Sequence, residues 1–373
     1  MKRDKTIDAF LALVRAGLWE RDILLSNYRD IDFSRLCQLA EEQSVDGLIA
    51  AGLEHVMDVK LPQESVLELI GLSLQIEQQN IAMNEFIAVL ERKMADASIH
   101  SLLVKGQGVA QCYERPLWRS SGDVDLFLDD ENYEKAKVFL SSLASFVKPE
   151  NPYTKHINME IGKWAVELHG NMRSNIIPRI DDMIDSVQED TFINNKVRIW
   201  QNGNTIVLLP SPDNDVIFIF THILHHFYRS GIGLRQICDW CRLLYTFRNE
   251  IDKELLKIRL EKAGIMAEWI GFGHFAVEYL GLPKESMPFY GDLSKRDDKK
   301  CRKILSFILE TGNFGHNRDR SFYTKYPYLI RKSISFWRYG GDIIHHLFLF
   351  PSTSFRYLMR FIINGLNAVL KGE

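Results

Sequence analysis

Residues 101–133 read SLLVKGQGVAQCYERPLWRSSGDVDLFLDDENY. The stretch opens on a short apolar run, Leu102-Leu103-Val104, that stops at Lys105-Gly106. After a compact segment it resumes at Gly122 with Asp123-Val124-Asp125-Leu126-Phe127-Leu128. Alternation with period 2 predicts a strand that carries Asp123 and Asp125 on one face and Val124 and Leu126 on the other. Two carboxylates about 7 Å apart along a strand repel each other, which costs stability unless a cation lies between them. Hard oxygen ligands on a rigid strand suit Mg²⁺ carrying a nucleoside triphosphate. An isolated Asp-x-Asp fits a solvated strand edge with two surface acids equally well, so the surrounding sequence has to decide.

On the N-terminal side, residues 7–57 read as helices. Ile7, Phe10, Leu11, Val14 and Leu18 follow helical spacing, with Gly17 marking an end; Asp32 caps a second helix that stops near Ser44, and Val45 to Val56 forms a third. Pro62 opens a long helix over 63–97. On the C-terminal side, Asp129-Asp130 caps a helix at 131–145. Strands follow around His156–Ile161 and Trp164–His169, then a hairpin over Lys196–Leu209 that turns at Asn202-Gly203-Asn204. Helices are expected at 213–228, 232–247, 252–263, 266–280 and 301–311, the last preceded by a polar linker from Asp292 to Lys300. From Asn317 onward nine Lys/Arg face three acids in a segment dense in aromatics.

The fold class is α+β, divided as N-terminal helices (1–97), an α/β core (98–210), a helical domain (211–316) and a basic aromatic segment (317–373). The 373 residues exceed one average domain, and 46% hydrophobic with 25% charged residues is ordinary for a globular chain. A net charge of −3 gives no global case for nucleic-acid binding. Five cysteines without a spaced framework argue for a reducing compartment. The N-terminus lacks the apolar core of a signal peptide, and no apolar run approaches the roughly 20 residues of a membrane helix. The expected location is the cytoplasm.

A glycine turn closing one strand, a short helix, and Gly-Asp-x-Asp opening a second strand resemble the polymerase-beta type of nucleotidyltransferase. The wording is similar to one branch of it, the bacterial "uncharacterised nucleotidyltransferase" family. That likeness rests on Lys105-Gly106, Tyr113, Pro116, Arg119-x-x-Gly122-Asp123-Val124-Asp125-Leu126, Val166-Glu167-Leu168-His169, Leu234-Arg235-Gln236-Ile237-Cys238-Asp239 and Gly17-Leu18-Trp19. It spans roughly Phe10 to Pro283 and implies a mixed β-sheet core flanked by helices. It also implies a two-metal Mg²⁺ site and an NTP substrate.

In that superfamily a third carboxylate comes from a later strand, and Glu167 fits the position, as metal ligand or as general base. Alternation puts His169 on the same face, where it is expected to bind the nucleotide; a hydrogen-bonded structural histidine reads the same way. Lys105, Gly106, Gln107 and Gly122 are the residues expected along the nucleotide, where glycine lets backbone amides approach phosphate. Gln107 departs from the superfamily's small residue after the turn glycine. Arg119 could pair with a phosphate or make an ordinary salt bridge. His222 and His226 are one turn apart without a Glu to complete a metal motif, so core packing or a place along the nucleotide cleft is preferred. Cys238 and Cys241 read as buried packing, and Arg235 with Asp239 as a helical pair.

The resulting expectation is a magnesium-dependent transfer of a nucleoside monophosphate from an NTP to an unidentified acceptor. A non-catalytic nucleotide-binding scaffold is the alternative, and an adaptor for a membrane surface or a protein partner a third. The third rests on the aromatic C-terminus, where Arg331, Lys332, Arg338, Arg356 and Arg360 are interspersed between Tyr323 and Phe361.

Overall fold

Asp4 and Asp32 start the first two helices by accepting from the backbone amides of Thr6 and Arg35 at 2.9 and 3.0 Å, as the caps in the sequence predict. The computed structural model describes residues 4–28, 30–151, 154–318 and 325–371. Helices α1 (Lys5–Trp19), α2 (Phe33–Gln43), α3 (Asp46–Glu54) and the 34-residue α4 (Gln63–Asp96) form the N-terminal part. Gly17 does not end α1 as expected. It lies inside the helix, where a Cβ would sit 2.0 Å from the Leu48 carbonyl oxygen of α3, and Gly52 has the same relation to Leu13 at 2.2 Å. Both glycines let two backbones touch.

The central sheet combines β1 (Leu102–Val104), β2 (Asp123–Phe127), β3 (Phe146–Val147), β4 (His156–Ile161) and β5 (Trp164–His169) in the order β1-β2-β5-β4-β3. Only β2 and β5 run parallel; the other neighbours are antiparallel. Helix α5 (Gly106–Ala110) links β1 toward β2, and α6 (Asp130–Ser141) follows β2 with Asp129 as its cap. Val124, Leu126, Val166 and Leu168 share one core with Met83, Ile87, Leu90 and Met94 of α4. On the opposite face Phe127 meets Phe192 and Phe218 at ring distances of 4.8 and 5.4 Å. The period-2 pattern therefore divides the sheet between two cores, and the carboxylates of β2 lie on the Phe127 face.

Phe192 belongs to α7 (Pro178–Ile193), a helix absent from the sequence expectation although Ile180, Met183, Ile184 and Val187 are buried at helical spacing. The hairpin β6 (Val197–Asn202)–β7 (Thr205–Pro210) precedes α8 (Pro212–Arg229). Helices α9 (Leu234–Thr246), α10 (Lys253–Ala263), α11 (Met266–Leu280) and α12 (Lys295–Thr311) follow. The expected linker to Lys300 is instead the first turn of α12, because Ser294 and Asp297 cap each other's backbone amides.

Two long helices close the chain, α13 (Tyr328–Leu347) and α14 (Pro351–Lys371). Ile343, Leu349, Phe350 and Tyr357 enter the main core, whereas Phe336, Trp337, Phe348 and Phe355 are exposed. Tyr323 and the side chain of Lys332 lie outside the described residues. Among those residues no helix is long and apolar enough to cross a membrane.

Candidate active site

The parallel register sets Asp125 opposite Glu167 and Phe127 opposite His169, while the antiparallel register sets His156 opposite His169 and Asn158 opposite Glu167. Directly opposed residues point to one face, so three strands deliver their polar side chains to a single patch. One oxygen from each of Asp123, Asp125 and Glu167 lies within 4.8 Å of the others. The sequence expectation placed these three acids together, and they are together. Lys105 Nζ donates to Asp125 Oδ1 at 2.8 Å, and His169 Nε2 lies 2.7 Å from the same oxygen. Asn158 donates to Glu167 Oε1, and His156 Nε2 is 3.1 Å from Oε2.

The electrostatics follow from this crowding. The charge on Asp125, helped by burial, pushes the Asp123 carboxyl up to about 6. Burial acts the same way on Asp125, but Lys105 and then His169 outweigh it and hold that carboxyl well below its usual range. Burial would also lift Glu167, yet its contact with His156 leaves it below the ordinary value. His169 is pushed down by burial and by Lys105. Three carboxylates thus share one lysine. The donor set is hard oxygen with surplus negative charge, which fits divalent cations at Asp123, Asp125 and Glu167.

The patch faces a cleft of about 340 Å³ between the sheet and α8. Lys105, His156, Glu167 and His169 form one wall and His222, His225, His226 and Arg229 the other. Burial drives His222 and His226 well below their ordinary values and takes His225 down to about 4, so all three are neutral near pH 7. Of the two places expected for His222 and His226, core packing or the cleft, the structure puts both along the cleft. Among the described residues the groups able to hold a metal are the acidic trio and His156, Glu167 and His169.

Two expected nucleotide contacts turn elsewhere. The Gln107 side chain is buried and donates to Asn80 Oδ1 of α4 at 2.7 Å. Asn80 in turn donates to the carbonyl oxygens of Leu117 and Arg119, so α4 fixes the loop that leads into β2. Arg119 donates through Nε and Nη2 to the two carboxylate oxygens of Asp239 at 2.8 and 2.7 Å, and through Nη1 to Ser120 O and Ser121 Oγ. Every nitrogen of its guanidinium is thus engaged within the protein. Tyr113 completes the cluster by donating to Asp239 Oδ1 at 2.7 Å. The expected Arg235–Asp239 helical pair is replaced by this long-range one, and Arg235 donates to Ser120 O at 2.9 Å instead.

The remaining expected contacts flank the acids. Lys105 takes a left-handed turn at φ 57° and Gly106 follows at φ 34°. Gly122, exposed, has nothing within 4 Å of where a Cβ would be. His156 and Asn158 were missed by sequence reasoning; with β4 predicted, its even positions were already on the face of Glu167, and pairing β4 with β5 would have found them.

No curated protein and no solved structure gives a significant match to this chain. The model of the family described as "Uncharacterised nucleotidyltransferase" matches residues 29–281, which is more than half of the sequence and includes the acidic trio, the Lys105–Gly106 turn and the Asp239 cluster, and the chain belongs to that family.

Proposed function

We propose that this chain is a magnesium-dependent nucleotidyltransferase that moves a nucleoside monophosphate from an NTP to an acceptor and releases pyrophosphate. The observation that carries the reading is the convergence of Asp123, Asp125 and Glu167 within 4.8 Å, with Glu167 on the wall of the cleft. An acceptor oxygen attacks the α-phosphorus, the bond to the bridging oxygen breaks, and pyrophosphate leaves with that electron pair. Divalent ions held by the three carboxylates would supply charge neutralisation for the triphosphate and activation of the acceptor hydroxyl. Asn158 and His156 orient Glu167, which is ionised and placed as ligand or as base for the hydroxyl proton. Lys105 keeps Asp125 ionised, and the Lys105–Gly106 turn and Gly122 leave room beside the acids for the nucleotide.

Thermal unfolding with Mg²⁺ and each NTP, together with pyrophosphate release, tests this. Mg²⁺-dependent stabilisation by an NTP is expected, with slow pyrophosphate release even to water. Binding without any release across acceptor classes supports the scaffold alternative, and no binding sinks both.

One observation supports a role for the C-terminus in location. Phe355, Met359, Ile362 and Ile363 are exposed at helical spacing along α14, and so are Trp337 of α13 and Phe348 just beyond its end. The segment holds nine Lys/Arg against three acids. An apolar face in a basic surround fits an anionic lipid surface.

A further inference from the structure

The acidic trio accounts for the carboxylates of the cleft but leaves its two sheet histidines unexplained. His156 and His169 are direct partners across β4 and β5, and their rings stack at 4.7 Å with planes 12° apart. Stacking in parallel brings both Nε2 edges to the same carboxylate oxygen: Glu167 Oε2 lies 3.1 Å from His156 Nε2 and 3.6 Å from His169 Nε2. One ring nitrogen of each histidine lies within 4.8 Å of the other and of a Glu167 oxygen.

Two imidazole nitrogens and one carboxylate oxygen are donors of mixed softness. Magnesium prefers oxygen in octahedral array, whereas imidazole suits the first-row transition ions. Ligand atoms about 2.1 Å from a shared ion, at angles between octahedral and tetrahedral, stand roughly 3.0–3.4 Å apart. Of the two observed spacings, 3.1 Å falls within that range and 3.6 Å lies just above it. Asn158 binds the other Glu167 oxygen and so holds Oε2 toward the histidines, the kind of orienting contact that metal ligands receive. Asp125 Oδ1 accepts from Lys105 and lies 2.7 Å from His169 Nε2, so a bound ion takes the place of the proton that this nitrogen shares with Asp125.

We infer that β4 and β5 bind a first-row transition-metal dication through His156 Nε2, His169 Nε2 and Glu167 Oε2, next to the carboxylate position shared by Asp123 and Asp125. The inference deepens the nucleotidyl-transfer reading by naming an ion class. It rests on that reading for what the ion does there, but not for whether it is bound. With Glu167 as the shared ligand, one of the two ions of the site is a transition metal and the other is free to be magnesium.

The test uses the full chain without nucleotide, with Mn²⁺ as probe and pulsed electron paramagnetic resonance as readout. One Mn²⁺ per chain is expected, retained against about a tenfold excess of Mg²⁺, with modulation from directly bound imidazole nitrogen. His156→Gln is expected to weaken Mn²⁺ by about tenfold or more and to reduce the nitrogen modulation. Asp123→Asn is expected to keep that modulation. A wild-type spectrum without nitrogen coupling, Mn²⁺ lost to a modest excess of Mg²⁺, or no bound Mn²⁺ at all overturns the histidine site, whatever the variants do. These outcomes leave the nucleotide reading standing if Mg²⁺ and an NTP still stabilise the protein together. The converse result, nitrogen coupling with no NTP effect, keeps the metal site and removes the transferase.

Discussion

Asp125 and Asp239 are both buried aspartates with a basic partner, and they have opposite consequences. Asp239 has both oxygens engaged by Arg119 and a further donor in Tyr113. Charge cancels, the hydrogen bonds are complete, and the cluster ties the loop before β2 to α9. Asp125 receives Lys105 and His169 on a single oxygen, with Asp123 and Glu167 adding negative charge that Arg235 offsets only in part at Asp123. The first cluster is closed and holds the fold. The second is left with surplus negative charge, and the proposed metal site rests on that imbalance.

The comparison breaks most visibly at Asp125. Asp125→Asn should cost at least about 10³-fold in pyrophosphate release, the scale of losing a preorganised electrostatic contact at a reacting centre. A variant with wild-type turnover would remove the acidic trio from the mechanism. At the closed cluster the effect should fall on folding instead. Arg119→Ala strands Asp239 in the interior and should cost about 3–5 kcal/mol in denaturant unfolding. Unchanged stability with a raised KM for NTP would show that Arg119 serves phosphate after all.

The difference between the two clusters was only half visible in the sequence. Asp123 could be placed with Asp125, and Glu167 with His169, because strand alternation is local and the strand limits of β4 and β5 matched their pattern; the family resemblance implied that the two pairs meet. Arg119 and Asp239 could not be paired, since 120 positions separate them and only tertiary packing brings α9 to the loop. The local rule offered Arg235 as a partner and tertiary contact overrode it. Gln107 misled for the same reason: its neighbours in sequence suggest phosphate, its neighbours in space are Asn80 and Ser121. Helix α7 was legible from its own periodicity and was overlooked, and Lys295–Lys300 read as linker because charge density hid a capping box.

A smaller effect sharpens the unbalanced side. The Asp123 carboxyl stands at about 6 against an ordinary 3.8, so the fold favours its protonated form. For a carboxyl raised in the folded state, that contribution is complete below about pH 4 and is lost as pH rises through about 6. Chelated wild-type protein should therefore lose part of its stability across that window, and Asp123→Asn should remove this part of the pH dependence. At neutral pH the variant should melt no lower than wild type, because one side of the repulsion is gone, while its Mg²⁺-dependent stabilisation by NTP disappears. Thermal unfolding in chelator across the window checks the first point. A variant that melts well below wild type at neutral pH would mean that Asp123 is tied into the fold like Asp239.

The smallest expected change in stability lies on the C-terminal helices, where the same contrast appears in apolar form. Phe350 is buried against Phe272 and Phe227, with its contacts complete. Trp337 is 75% exposed, and its contacts are unfinished. A large aromatic in water contributes little to the fold, so Trp337→Ser should shift unfolding by less than about 0.5 kcal/mol. Its effect should instead appear in association with a surface. Indole prefers the boundary between lipid headgroups and acyl chains, and a segment with nine Lys/Arg against three acids favours anionic lipid. Co-sedimentation with phosphatidylserine-containing vesicles should bind wild type, weaken with added salt, and fall for Trp337→Ser. Equal binding of the variant, or binding indifferent to lipid charge, would detach the exposed face from membranes and leave the carboxylate comparison untouched, since none of its residues lies on α13 or α14.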